Sequence, residues 1–252
     1  MSGRDPAGED ADSPTGPDRN LTTRYGEAWV YESIVGAIPG LSLSQPVAVG
    51  IQFLLFEGLI LAFAAIYDLW SAVPAGTAAV VVAAAGSYVM LALGDEIREL
   101  DTPDSYRRLL FSSSIEVVLG VLSFVALLTY LFAVDARSGQ VPLLTLLLGE
   151  TPPAPAVYLT LLVLWDLCYR IGTGWWASVT GLWRTLQYGD RFDAEDRRHL
   201  LRIELLTIGF AVVQLLLVPF IWDRILLVGA VAGHVTAVLL VSGASVVSLR
   251  RG

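Results

Sequence analysis

The chain has no lysine: all sixteen of its basic residues are arginine. A retinal Schiff base needs a lysine amine, so a retinal-binding pigment is excluded. There is one cysteine, Cys168, inside an apolar run. It can form no intramolecular disulfide and belongs to no cysteine cluster for metal. The two histidines, His199 and His234, are far apart in sequence and make no dedicated metal site alone. HExxH, GxxxxGK[ST] and GxSxG are all missing. Tyr67-Asp68 and Gly189-Asp190 lack the full Gly-x-Gly-Asp pattern of an intramembrane aspartyl protease. No catalytic residue, metal or cofactor is therefore expected. The net charge is −8 and no patch combines basic with aromatic residues, which argues against nucleic-acid binding.

What is present is apolar. Hydrophobic residues make up 55% of the 252, and the mean hydropathy is +0.63. That balance is too apolar for a soluble domain and suits a multi-pass membrane protein. The acidic pI of about 4.7 and the missing lysine point to a salt-adapted source. High salt screens surface charge over a few Å, so excess acid mainly serves hydration.

The expected fold is an all-α, polytopic bundle of six transmembrane helices with a short amphipathic N-terminal helix. Residues 1–20 are rich in Pro, Gly and Asp, and read as a disordered acidic tail. Residues 21–46 read as an interfacial segment. Within it, Trp29, Val30, Ile34, Val35 and Ile38 share a stripe while Glu27 and Glu32 face away. The six-helix domain covers 47–249, with spans at 47–69, 74–94, 108–133, 156–184, 200–221 and 225–249. Each exceeds the roughly 20 residues that cross about 30 Å of hydrocarbon. Residues 141–149 are too short to span and read as lying along the outer surface.

Arginine placement gives the orientation. Thirteen arginines fall in the N-terminal region, the second-to-third loop, the fourth-to-fifth loop and the C-terminus. Only Arg137 and Arg224 fall on the other side. The positive-inside rule then places both termini in the cytoplasm of a cell-membrane protein. The two arginine-rich loops also resemble each other, with Gly-Asp, then acids, then Arg107-Arg108 or Arg197-Arg198, then Ile115-Glu116 or Ile203-Glu204. Either three helical hairpins repeat, or two loops meet the same helix-start requirement with acidic caps and arginines.

Acidic side chains inside the apolar spans are the main pointer to chemistry. A charge at bilayer depth costs a few kcal/mol or more, so it turns toward a partner, a cavity or a pathway. Glu57, Glu116 and Asp166 are expected at a common depth near the midplane as ion- or proton-binding candidates. Arg170, four residues after Asp166, is placed to pair with it and tune or clamp it. His234, Gln52 and Gln214 are secondary candidates for a polar path, as are Ser112, Ser113 and Ser114; the alternative is plain helix-to-helix hydrogen bonding. Glu204 reads as an interfacial partner of Arg198 and Arg202. The Thr173/Ala177/Gly181 and Gly174/Ser178 seams, and Gly229 with Gly233, indicate close helix packing and a route to oligomers.

The stretch Tyr31 to Gly40, running into Gln52 to Glu57, resembles haloarchaeal multi-pass membrane proteins classed only as domains of unknown function. That resemblance implies six-helix topology and assigns no residues. Two readings are open. One is a small ion- or proton-coupled transporter or channel, with a monovalent cation or proton as partner besides the lipid bilayer. The other is a non-catalytic membrane scaffold or accessory subunit, in which the buried charges form a helix-clamping network.

Overall fold

The computed structural model describes Trp29 and residues 44–251. The expected tail over 1–20 and nearly all of the interfacial segment over 21–46 lie outside the described residues. Trp29 is the exception: it is fully buried, its ring edge-on to Phe111 at 4.9 Å between centroids. It belongs to the core rather than to a surface stripe.

Eight α-helices occur among the described residues: α1 (Gln45–Tyr67), α2 (Val73–Glu99), α3 (Asp104–Phe111), α4 (Ile115–Thr129), α5 (Leu143–Leu148), α6 (Ala154–Tyr188), α7 (Ala194–Val213) and α8 (Ile225–Arg251). No strand occurs among the described residues. Among the described residues, six helical segments are long and apolar enough to cross a membrane, starting at Pro46, Trp70, Asp104, Ala154, Ala194 and Ile225. The fold is thus an all-α polytopic bundle, as the apolar runs predict.

Local chemistry sets the boundaries. Proline near the first turn of α1, α2 and α6 gives up an amide that has no helical partner there. Asp68, with φ +56°, turns the chain out of α1. Asp193 caps α7 by accepting the amides of Glu195 and Asp196 at 2.8 and 2.9 Å. The corresponding loop before α3 has no such cap; Arg107 there holds the Leu100 carbonyl at 2.7 Å and the Thr102 hydroxyl at 3.0 Å. Arg197 does equivalent work before α7, donating to the Phe192 carbonyl at 3.0 Å.

The third span departs from expectation. A continuous helix over 108–133 is replaced by two, broken at Ser112-Ser113-Ser114, where Ser114 adopts φ +54°. Serine hydroxyls compete with the helical backbone for hydrogen bonds, and three in a row favour a break over a polar path. Glu116 consequently stands in the first turn of α4 rather than two turns inside a span.

The 35-residue α6 is the axis of the bundle and touches every other spanning helix. Its small residues permit this. A Cβ on Gly172 would lie 2.9 Å from the Gly120 backbone nitrogen, so α4 and α6 pack backbone to backbone. Thr173, Ala177 and Ser178 are buried along the same helix, as the seams predict. Gly229 and Gly233 differ: a Cβ on either would meet nothing within 4 Å, so that seam is unused within the described chain. Large apolar side chains such as Leu54, Leu122 and Leu240 are more than half exposed on the bundle's outside, where lipid chains would cover them.

Candidate functional site

Among the described residues, three ion pairs with a deeply buried arginine are strung along the bundle. In the middle, Arg170 holds Asp166 through two bonds, Nη2 to Oδ1 at 2.8 Å and Nε to Oδ2 at 3.1 Å. This is the expected one-turn pair, in the bidentate form that suits a planar guanidinium. Gln52 of α1 donates to Asp166 Oδ2 at 2.9 Å and accepts from Ser87 of α2 at 2.9 Å. Gln52 therefore fastens three helices. The Arg170 stem lies flat on Gly86, where a Cβ would come within 2.8 Å of its Cδ. The cavity beside Gln52 and Asp166 measures only about 10 Å³, room for at most one water.

Toward the end carrying the two arginine-rich loops, Arg184 donates to Glu204 at 3.0 Å, with both side chains fully buried. Glu204 also accepts from Ser245 at 2.9 Å, and Ser245 meets Thr185 at 2.8 Å. Arg184 further donates to the Tyr106 hydroxyl at 3.0 Å, its guanidinium 5.1 Å from that ring's centroid. Four helices, α3, α6, α7 and α8, meet at this pair. Glu204 is thus not an interfacial partner of Arg198 and Arg202, because α7 turns it inward against Gly181. A Cβ there would lie 2.6 Å from its Oε1. Arg202 instead pairs with Glu96 at 2.8 Å, beside His199 at 2.6 Å. Glu96, Glu99 and His199 place possible metal-ligand atoms within 4.8 Å of one another. Arg202 already supplies the positive charge there.

At the opposite end, Asp135 is fully buried, 3.2 Å from Arg224 Nε, and accepts the Leu143 amide at 2.6 Å. Arg224 also donates to Gln140 and to the Val141 carbonyl. The pair ties the start of α8 to the loop carrying α5.

The expected midplane cluster does not assemble. Gly120 of α4 abuts Tyr169 and Gly172 of α6, while Leu109 lies level with Trp176, so α4 and α6 run antiparallel. At 1.5 Å per residue, Glu116 then sits roughly 13 Å along the axis from Asp166, toward the arginine-rich end. Glu57, five residues past Gln52, lies roughly 7 Å to the other side of Asp166. Common depth along separate spans did not translate into contact. Glu57 accepts from Thr77 at 2.8 Å, and its second oxygen is buried without a partner. Glu116 is fully buried, and neither carboxylate oxygen meets a donor from another described residue.

Gln214 and His234 join none of these acids. Both line a cavity of about 590 Å³ in the half of the bundle opposite the arginine-rich loops. Its wall is otherwise almost wholly apolar, from Ile60 and Phe63 of α1 through Leu127, Leu159, Val163 and Leu227. Four α5 leucines cover it: Leu143, Leu144, Leu147 and Leu148. Residues 141–149 are thus a lid on this space as well as a surface element.

Residues 24–245 match a protein family described as a family of unknown function, DUF7530. The chain belongs to that family. The match covers the bundle and reaches into the residues before α1, so the membership concerns the whole fold rather than one motif. No curated protein and no solved structure matches the chain.

Proposed function

We propose that this is a non-catalytic membrane protein, a scaffold or accessory subunit, whose buried charges fasten its helices and do not conduct an ion. The observation that carries this is charge matching. Each deeply buried arginine faces one acid; two of the pairs join separate helices or loops, and Gln52 ties the third, within α6, to α1 and α2. The space beside Asp166 admits at most one water. A structural clamp needs this arrangement; a carboxylate that exchanges ions needs access.

The same reading supplies the finer points. The protein sits in a cell membrane with both termini cytoplasmic, supported by twelve arginines, Arg184 now set aside as a buried residue of α6, against two. Its source is a haloarchaeon, supported by the acidic, lysine-free composition. The unpacked Gly229/Gly233 face of α8 offers a second copy or a partner helix a close approach.

An ion- or proton-coupled transporter is the second reading, and Glu116 favours it: a fully buried carboxylate with no donor from another described residue is costly unless it has a task. Liposome flux separates the two. Under the clamp, no pH-dependent ion flux appears under any gradient. Arg170→Ala lowers thermal stability in detergent, and adding Asp166→Ala recovers part of the loss. A flux abolished by Glu57→Gln or Glu116→Gln in folded protein would overturn it.

A further inference from the structure

We infer that the 590 Å³ cavity is a binding site for a neutral, membrane-soluble amphiphile: one long apolar body carrying a single hydroxyl or carbonyl oxygen. This goes beyond the clamp reading and does not depend on it. Three independent features point to the site.

The first is the wall chemistry. No Asp, Glu or Arg lines the cavity, so an ionised head would enter without a counter-charge. The volume falls within the range of small-molecule pockets, with apolar surface and a few polar groups that fix orientation. The second is Gln214. It is 2% exposed, its side chain has no hydrogen-bond partner among the described residues, and it borders this space. A buried amide left unsatisfied is costly, and a ligand oxygen at the cavity's inner end would satisfy it. His234 borders the same region: Ala211, one turn before Gln214, packs with Val235, the residue after His234. A hydroxyl could accept from the amide and donate to the imidazole.

The third feature is backbone geometry. After Val213 the helix tightens into a 3-10 form over Gln214–Phe220, with Pro219 inside it. Runs of that length are uncommon, and side chains three apart eclipse one another. Gln214, Leu217 and Phe220 therefore form one straight row, and all three line the cavity. Also on this cavity, Tyr130–Val134 is a π-helix, a form that clusters at functional sites. Tyr130 and Leu131 line the same wall. Both long departures from α geometry thus serve one space.

The test uses full-length protein in phospholipid nanodiscs and a tritiated 16-carbon alcohol bearing a diazirine near its tail. After irradiation, adducts are mapped by peptide mass spectrometry. Saturable labelling of the α4, α6 and α8 cavity walls is expected. Unlabelled hexadecan-1-ol should compete at least tenfold better than hexadecane or, at pH 8, hexadecanoate. Ala230→Trp, which fills the space, should cut labelling about tenfold, and Gln214→Leu should erase the alcohol's advantage over the alkane. The wild-type competition stands even if a variant fails to fold. Labelling that does not saturate, that maps to outward positions such as Leu54 and Leu240, or that the alkane or the acid competes equally would overturn the inference.

Discussion

Arg184→Met should be among the most damaging single changes on this fold. The guanidinium is fully buried and makes bonds at 3.0 Å to Glu204 and at 3.0 Å to the Tyr106 hydroxyl. Methionine keeps much of the volume and removes the charge. Glu204 would then hold a buried carboxylate with only neutral serine hydroxyls beside it, Ser245 at 2.9 Å and Ser242. Breaking one side of a buried pair costs about 3–5 kcal/mol, mostly because the other charge is stranded. For a chain of this size that is on the order of a 10 °C fall in unfolding temperature. Replacing both members, Arg184→Met with Glu204→Leu, removes the stranded charge. The double variant should recover at least about 2 kcal/mol relative to the sum of the singles, a coupling large for neighbours yet within their usual range. It should not return fully, because the Ser245 and Tyr106 hydroxyls lose partners at about 1–3 kcal/mol each. Intrinsic tryptophan fluorescence during thermal unfolding in one detergent reads all four proteins. If the two single losses add to within about 0.5 kcal/mol, the residues do not act as a pair and the clamp argument fails.

Other outcomes follow from the same geometry. Glu116→Gln removes a charge that no other described residue satisfies, so it should raise stability by about 1–3 kcal/mol; a lower unfolding temperature would mean an unseen partner holds the acid. Gly172→Ala should cost about 1–3 kcal/mol, because its Cβ would lie 2.9 Å from a backbone nitrogen that cannot swing aside. Gly174→Ala, which meets only the Phe210 ring at 3.2 Å, should cost less, and equal losses would refute the backbone-contact reading. Arg224→Met strands Asp135 and should free the lid over the cavity, seen as faster amide hydrogen exchange across residues 138–149. Unchanged exchange there would show that the pair does not hold the lid.

The spans were legible in the sequence because a membrane-length apolar run has few alternatives, and prolines and arginines mark its ends. The packing seam on α6 was legible for a related reason: glycine, alanine, serine and threonine at helical spacing have little to do except admit a neighbour. The broken third span was not, since hydropathy averages across three serines. The signal lay in their adjacency to Ile115-Glu116, a place where a helix can begin. Arg184 read as a loop arginine for want of any local cue; its partner is twenty residues away and comes into contact only when α6 and α7 pack.

The acids show the limit most plainly. Counting Glu57, Glu116 and Asp166 against Arg170 suggested an excess of negative charge at one depth. Depth is a property of one helix, whereas pairing depends on which faces of two helices meet. Once the faces are known, Asp166 is matched, and Glu204 and Asp135 have arginines of their own. The imbalance contracts to Glu116 and half of Glu57, at separate sites. The polar residues that border a sizeable space are then Gln214 and His234 with Ser123, Tyr130 and Thr160, none of which carries a fixed charge. A pathway for ions would place charge along the void and neutral groups elsewhere. This bundle does the reverse, closing each buried arginine against an acid and keeping charge off the apolar volume, which is the arrangement a neutral lipid-soluble molecule requires.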